Sequence, residues 1–240
     1  IVSEYCAEGD LQSLVQGQAL AEADARPIFK GVMQGLAHIH GRGIVHSDVK
    51  ADNVLLRADR EAVLADFGIS RLAGEAPEAS CQGRVRGTPG YVAPEVVAGK
   101  GATELSDVFG AGVVLFYMLS QRLPFSGADV MSTLRRTAHA KLSFERHRCF
   151  DSASEDVKEL LSNLLRRKPE QRPMAQHALL DPWFDDDESH LLEDVAIGAL
   201  YLDEPLAGPH DMCFSNRPSF SNDTQYQSSY SEGGGRCQMF

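Results

Sequence analysis

Five charged or hydrogen-bonding side chains stand close together in the segment IVHSDVKADNVLL, between two runs of branched apolar residues. Asp48 can accept or orient the proton of a hydroxyl group, and Lys50 can neutralise a phosphoryl group during its transfer. Asn53 and Asp66, the latter in an Asp-Phe-Gly triplet, carry the hard oxygen ligands that Mg²⁺ prefers. Phosphoryl transfer depends mostly on positioning and charge, so these residue types together favour that chemistry. The His-Ser-Asp motif alone, or the Asp-Phe-Gly motif alone, could equally be an ordinary loop turn.

The residues between the two motifs have the pattern of a β-hairpin. Two short β-rich runs, 53–56 and 62–65, are joined by a polar turn at Asp59 and Arg60. Because a hairpin brings its two ends together, it would fold Asn53 and Asp66 onto one site.

Helices are predicted on both sides of this hairpin. Apolar residues recur at spacings of three and four from residue 24 to residue 39, and this amphipathic helix stops at the Gly-Arg-Gly of residues 41–43. Residues 108–119 are apolar all round, which predicts a helix buried on every side. The other predictions are a strand at 1–5, a turn at 7–9, a helix from Asp10, a loop at 72–86, and helices at 130–138, 155–166 and 174–179.

Composition limits the partners of the chain. It has 240 residues, of which 43% are hydrophobic, so it can bury a sizeable core. The formal charge is −11, and the sequence has no basic stripe that would bind nucleic acid. The longest apolar run, 108–119, is shorter than the roughly 20 residues that cross a bilayer, so no membrane span is expected. Five scattered cysteines without a CxxC pair fit a reducing, cytoplasmic setting.

The last segment, 185–240, differs from the rest of the chain. It has 11 acidic residues and 2 arginines, which gives −9 and leaves −2 for residues 1–184. Its later part is rich in Ser, Asn and Gly, so an acidic, disordered tail is predicted. The acidic run at 185–188 does not continue into an EF-hand loop, which needs a glycine at its sixth position and a glutamate at its twelfth.

A third motif decides between an ordinary loop and a catalytic site. Residues 87–95 read GTPGYVAPE, and Asp107 begins the buried helix DVFGAGVVLFYML. With these motifs in order, residues 1–184 resemble the eukaryotic protein kinases from the hinge through the C-terminal lobe. Small-molecule kinases of the aminoglycoside type share the HxD, Asn and Asp arrangement, but they lack the GTPGYVAPE segment and the buried helix.

Finer features resemble one branch of that family. Lys50 after the catalytic aspartate and Thr88 in the GTP turn are similar to the serine/threonine kinases. The segments LPFSGADV, KLSF and ALLDPWF are similar to the calcium/calmodulin-dependent group. Phe150 departs from that group, in which many members carry tryptophan. No calmodulin-binding helix or EF-hand follows, so the visible sequence supports neither calmodulin nor calcium dependence.

The resemblance implies ATP and Mg²⁺ as cofactors. Ser3 would be the gatekeeper, the backbone of Glu4 and Cys6 would bind adenine, Asp10 would bind ribose, and Leu55 would form the floor of the adenine site. The implied roles of the remaining site residues are catalysis by Asp48, Lys50, Asn53 and Thr88, and Mg²⁺ binding by Asn53 and Asp66.

Four further residues are assigned by the resemblance to the scaffold. Glu95 would pair with a buried Arg172, and Asp107 would hold the backbone of the catalytic loop near His46. Breaking such a buried pair leaves an uncompensated charge, which costs roughly 3–5 kcal/mol.

Ser47 departs from the family pattern, since most members carry there an arginine that grips a phosphorylated activation loop. Arg84 stands where relatives often carry the phosphate acceptor, although Ser80 is another candidate acceptor. We therefore hypothesise that the intact enzyme does not depend on activation-loop phosphorylation.

The resemblance also implies a domain organisation. Residues 1–9 would form the hinge, 10–184 the C-terminal lobe with its catalytic loop at 44–53 and activation segment at 66–95, and 185–240 the tail. The fold class is thus α+β, mainly α, without an N-terminal lobe. Two hypotheses stay open: a serine/threonine kinase represented by a truncated chain with little activity of its own, and a non-catalytic scaffold built on a kinase lobe.

Substrate preference is indicated by a few side chains. Asp10 and Asp52 fall where basophilic kinases hold an arginine three residues before the target, whereas Tyr117 stands where some of them add a glutamate. A mild preference for a basic residue at minus three is expected. Ile69 after the Asp-Phe-Gly triplet resembles kinases that favour threonine.

Overall fold

The structure is a computed structural model that describes residues 4–75 and 86–185. These belong to the first of two units into which the chain divides, residues 1–194, whereas the second unit, 195–240, lies outside the described residues. The tail predicted to be disordered therefore lies outside them too, apart from Asp185.

Helices make up most of the described chain. The helices are α1 (Leu11–Gly17), α2 (Glu22–His40), α3 (Pro94–Val97), α4 (Glu104–Ser120), α5 (Val130–His139), α6 (Glu155–Leu164) and α7 (Ala175–Ala178). Short 3-10 turns add to them at Ala51–Asn53, Arg148–Phe150, Pro169–Gln171 and Pro182–Phe184. The mainly helical character predicted from the sequence is confirmed, and α3 is an element that the sequence pattern did not predict.

Helices α2 and α4 form the centre of the core. The apolar face predicted for α2 is buried along its length, from Ile28 to Ile39, and it packs against α4, α7 and the hairpin. Helix α4 is buried from Ser106 to Leu119, as its all-round apolar sequence predicted. It begins at Glu104, earlier than predicted, because Thr103 and Ser106 form a reciprocal capping box.

Two small antiparallel pairs carry the loops of interest. Strands β2 (Val54–Leu56) and β3 (Ala62–Leu64) form the predicted hairpin, with Leu55 opposite Val63. Strands β1 (Ile44–Val45) and β4 (Arg71–Leu72) pair with Val45 opposite Arg71. The second pair corrects the prediction that the loop begins at residue 72.

The predicted strand at 1–5 is also corrected. Residues 1–3 lie outside the described part, and Glu4 and Tyr5 are not in a strand. An extended segment needs a neighbouring ladder to become a strand, and no described strand pairs with these two residues. The chain instead makes the predicted turn, closed by Gly9 N–H donating to the Cys6 carbonyl at 3.3 Å, and Asp10 bridges Leu55.

The far end of the described chain is fixed by aromatic side chains. The Phe184 ring stacks on Phe29 of α2 at a centroid distance of 5.9 Å, and Trp183 meets Phe29 edge-on at 6.1 Å. Indole Nε1 of Trp183 donates to Glu22, whose carboxylate also accepts from Ser154 at the start of α6. Among the described helices, none has the length and apolar character to span a membrane.

Candidate active site

Asp48 is the centre of a hydrogen-bonded cluster. Its Oδ1 accepts from the backbone N–H of Thr88 at 3.0 Å and from the Thr88 hydroxyl at 2.8 Å. The ammonium of Lys50 lies 2.8 Å from Asp48 Oδ2 and donates to Thr88 Oγ1 at 3.2 Å. The catalytic loop and the GTP turn thus meet at this cluster, in which Thr88 lies 40 residues after Asp48 in the sequence.

This cluster fixes the protonation states of its members. Burial alone would raise the pKa of Asp48, but hydrogen bonds from Lys50 and Thr88 and the Lys50 charge outweigh it, so the pKa lies below its usual value. The hydrogen bond to Asp48 chiefly raises the pKa of Lys50, and the charges of Asp52 and Asp66 add to this. Asp48 therefore stays an anion and Lys50 a cation across the physiological range.

Gly87 lets the GTP turn come close to the catalytic loop. Its φ is 106°, a conformation that L side chains rarely adopt, and a Cβ there would lie 3.3 Å from the Ser47 carbonyl oxygen. A larger residue would therefore be strained at this position and would crowd the Ser47 carbonyl.

Asn53 lies beside Asp48 and leads into the hairpin. Its amide nitrogen donates to the Asp48 carbonyl at 2.9 Å and to Asp48 Oδ2 at 3.3 Å. Ala65 N–H donates to the Asn53 carbonyl at 2.9 Å, which brings Asp66 next to Asn53 as the hairpin pattern predicted. Asp66 is exposed and has a φ of 60°, an uncommon conformation for a residue other than glycine.

These two residues fit a magnesium ion by their chemistry. The Asn53 nitrogen is engaged with Asp48, so its oxygen is the atom suited to a cation, and Asp66 offers an exposed carboxylate. No group of three or more His, Cys, Asp or Glu in the described residues could hold a metal. Mg²⁺ often uses only one or two protein carboxylates and takes its remaining ligands from water and phosphate, so this small ligand set fits it.

The backbone of the catalytic loop is held by Asp107 in the first turn of α4. Its carboxylate accepts from the backbone N–H of His46 at 2.7 Å and of Ser47 at 2.8 Å. His40, at the end of α2, lies with Nε2 3.0 Å from Asp107 Oδ2. The contact predicted for Asp107 is confirmed, and His40 is a partner that sequence reasoning missed. No pattern in the sequence marks this partner, because the contact joins residues that are 67 positions apart.

His46 and Ser47 complete the loop. The fully buried His46 has Nε2 2.9 Å from the Ala65 carbonyl, and its ring lies 4.8 Å from that of Phe67, so it links the catalytic loop to the Asp-Phe-Gly triplet. Ser47 has a φ of 71°, and its buried hydroxyl has no hydrogen-bond partner among the described residues. That hydroxyl borders a cavity of about 20 Å³ beside Asp48, which has room for one water molecule.

The predicted pair of Glu95 and Arg172 is confirmed. The guanidinium donates to both Glu95 oxygens, at 2.7 and 2.8 Å, and its other N–H groups donate to the carbonyls of Arg166, Leu105 and Arg167. All five N–H donors of this arginine are therefore used. Burial would raise the pKa of Glu95, but the bonds and charge of Arg172 outweigh it and lower the pKa.

The predicted nucleotide-binding residues lie along one edge of the hairpin. Glu8 N–H donates to the Leu56 carbonyl at 3.1 Å, and Leu56 N–H donates to the Gly9 carbonyl at 2.9 Å, so the segment from Glu4 to Asp10 runs beside Leu55. Asp10 also caps α1, since its Oδ1 accepts from Ser13 N–H at 2.7 Å. The gatekeeper prediction, Ser3, lies outside the described residues.

A surface ion-pair network that the sequence did not reveal joins this segment to the hairpin. Arg57 donates to Glu4 through Nε at 2.7 Å and through Nη2 at 2.9 Å, and its Nη1 donates to Glu61 at 2.5 Å. The bond to Arg57 is the main cause that lowers the pKa of Glu4. The network holds Glu4, a predicted hinge residue, against the turn end of the hairpin.

The described residues thus form a mainly helical fold that carries a polar cluster around Asp48. Comparison with known proteins gives its family. Residues 1–184 match the family described as protein kinase domain, and the chain belongs to that family.

Curated relatives are serine/threonine kinases. The chain is 35% identical over 189 residues to CBL-interacting serine/threonine-protein kinase 24 of Arabidopsis thaliana. The aligned region covers 77% of this chain and 40% of that protein. It is 30% identical over 189 residues to serine/threonine-protein kinase 17A of Oryctolagus cuniculus, covering 76% and 47%. It is 34% identical over 184 residues to serine/threonine-protein kinase PEPKR2 of Arabidopsis thaliana, covering 76% and 38%.

These relatives confirm the family and the group recognised in the sequence. CBL-interacting kinases belong to the group of calcium/calmodulin-dependent kinases, which the segments LPFSGADV and ALLDPWF resembled. The chain spans less than half the length of each of the three relatives.

Proposed function

We propose that the protein is a serine/threonine kinase that transfers the γ-phosphate of ATP to protein hydroxyls, and that residues 1–9 form its hinge and residues 10–184 its C-terminal lobe. The observation that carries the proposal is the joint contact of Lys50 and Thr88 with Asp48, beside Asn53. Asp48 would orient the substrate hydroxyl and accept its proton, and Lys50 would balance the charge of the phosphoryl group.

ATP and Mg²⁺ are the cofactors of this proposal. A bound Mg²⁺ would neutralise the phosphate oxygens and orient the transferred group. Asn53 and Asp66 would hold the ion, and Glu4, Cys6, Asp10 and Leu55 would bind the nucleoside. The support is that Ala65 bonds the Asn53 carbonyl, which brings Asp66 next to Asn53, and that the segment from Glu8 to Asp10 is hydrogen-bonded to β2.

A basic residue in the substrate is also part of the proposal. Asp52 is exposed, and its charge contributes, after burial, to the raised pKa of Tyr91 and Tyr117, so these two largely buried tyrosines lie near it. Asp52 would attract a basic side chain at minus three, and Tyr117 adds no second negative charge there. A peptide library that selected acidic flanks would contradict this preference.

The alternative is a non-catalytic scaffold on a kinase-like domain. It stays open because the chain spans less than half of its relatives, so the activity of the whole protein is a proposal. Against it stands the complete set of Asp48, Lys50, Asn53 and Asp66, which a binding module would not need.

The deciding experiment measures Mg·ATP binding and peptide phosphorylation by this chain and by the full-length gene product. Asp48→Asn keeps the size of the side chain but removes its charge, so turnover should fall about 10²- to 10⁴-fold. Asp59→Asn, in the polar turn of the hairpin, is the matched control and should leave turnover unchanged. If the full-length product binds Mg·ATP but transfers no phosphate to any peptide of a library, the scaffold hypothesis replaces the kinase.

A further inference from the structure

Arg71 joins three parts of the chain that are separate in sequence. It lies on β4, opposite Val45 of β1, and β1 leads directly into the catalytic loop. Its guanidinium leaves the strand and donates from Nη1 to the Glu75 carbonyl at 3.3 Å and from Nη2 to the Ala102 carbonyl. Ala102 belongs to the connection between α3 and α4.

Both acceptors of Arg71 are backbone carbonyls. The side chain is half-buried, no described carboxylate pairs with it, and its Nε is buried without a hydrogen-bond partner among the described residues. Hydrogen bonds from a charged donor are stronger than neutral ones, so two of them on carbonyl oxygens can fix two loops at once. Carbonyl acceptors are always present, and they do not depend on a modification.

Two neighbouring hydrogen bonds also hold the segment from Leu72 to Glu75. Ala73 N–H donates to the Gly43 carbonyl at 2.7 Å, and the Glu75 carboxylate accepts from Leu72 N–H at 3.2 Å. The part of the predicted activation segment that ends at Glu75 is therefore tied to the residues before β1 and, through Arg71, to those before α4. Ser47 contributes no charge here, because its side chain is a neutral, buried hydroxyl.

We propose that Arg71 is a positioning residue: by bonding the carbonyls of Glu75 and Ala102, it holds the start of the activation segment and the connection before α4 in one arrangement. In this arrangement β1 and α4 place Asp48 without any phosphate on the segment. The inference rests on the proposed kinase function, and it deepens that function by naming the group that replaces a phosphate contact.

Amide hydrogen exchange of this chain tests the contact without relying on activity. Arg71→Ala should speed exchange at Ala73 and Glu75 on one side and at Lys100 and Thr103 on the other. Arg71→Lys should restore only one side, because an ammonium lacks the planar fork that reaches two carbonyls. Arg135→Ala, which removes an exposed arginine from α5, is the control and should change neither region.

Kinetics of the full-length gene product, after phosphatase treatment, test the consequence. The untreated and treated wild-type proteins should have equal turnover. In Arg71→Ala, kcat should fall about tenfold or more with the ATP KM unchanged, since the loss is one of alignment and not of nucleotide contact. Arg71→Gln, which keeps a donor of similar length, supplies the comparison if the alanine variant does not fold.

Three results would overturn the inference. Unchanged exchange in Arg71→Ala would show that the bonds do not hold the two loops. Unchanged kcat with faster exchange would show that the arrangement does not matter for Asp48. Loss of wild-type turnover on phosphatase treatment would assign the positioning to a phosphate. If the wild type transfers no phosphate before treatment either, the kinase proposal fails, and exchange still decides whether Arg71 holds the loops.

Discussion

Two carboxylates of this domain, Glu95 and Asp48, each pair with a basic side chain, but their surroundings differ. Glu95 and Arg172 are buried, with side-chain exposures of 6% and 0%, and every donor of the arginine is used within the protein. Asp48 and Lys50 keep side-chain exposures of 13% and 20%. We call the buried pair of Glu95 and Arg172 the closed network, and the partly exposed cluster of Asp48, Lys50 and Thr88 the open network. A closed network stabilises a fold, whereas an open one keeps donors and acceptors that a substrate can use.

The largest expected effect comes from opening the closed network. Glu95→Gln keeps the shape of the side chain but leaves the Arg172 charge buried without an opposite charge. Such a change costs about 3–5 kcal/mol, a large share of the 5–15 kcal/mol that stabilises a typical domain. Urea unfolding of the chain at pH 7, followed by circular dichroism, measures the loss. Glu155→Gln, which removes an exposed ion pair with Lys158, is the control and should change stability by less than about 1 kcal/mol.

The pH dependence of the same variant sharpens this comparison. The pKa of Glu95 is lowered in the folded state, so its contribution is present above its ordinary value of 4.5 and is lost as the pH falls through the lower folded value. The gap in stability between wild type and Glu95→Gln should therefore shrink below about pH 4.5. Parallel stability curves down to the acid transition would contradict the role of this ion pair.

The second effect comes from removing one member of the open network. Thr88→Val keeps the branched shape but loses the hydroxyl that donates to Asp48 and accepts from Lys50. Because Thr88 positions Asp48, kcat of the full-length product should fall roughly ten- to a hundredfold. Hydrogen bonds to charged groups contribute about 1.5–3 kcal/mol to stability, so the unfolding free energy should fall by less than in Glu95→Gln. Thr88→Ser should retain most activity. A loss of stability as large as that of Glu95→Gln would place Thr88 in the scaffold.

Sequence reasoning succeeded where a local pattern carries the information. The spacing of apolar residues predicted α2 and its buried face, and the β-rich runs predicted the hairpin that brings Asn53 near Asp66. The pair of Glu95 and Arg172 came from the family resemblance, and the structure confirms it. The catalytic and binding roles of the site residues stay predictions.

It failed where an element is too short or a contact too distant to leave a pattern. Strands of two residues have no alternation, so β1 and β4 were missed, and Leu72 was assigned to a loop. The contacts of His40 with Asp107 and of Arg71 with Ala102 join residues that are 67 and 31 positions apart. Nothing in a single sequence marks such partners, because they depend on how the helices pack.

The smallest expected effect concerns an exposed network, which lies at the other extreme from Glu95. Arg57→Gln removes the contacts to Glu4 and Glu61, but these side chains are largely solvated, so global stability should hardly change. Because Glu4 is a predicted hinge residue, the ATP Kd of the full-length product should rise by no more than a few fold, and the difference should fade as salt is added. Arg60→Gln, whose ion pair with Glu8 is longer at 3.8 Å, is the control. A large loss of affinity that persists at high salt would mean that Arg57 contacts the nucleotide or shapes its site directly, and that exposure alone does not decide which ion pairs of this domain matter.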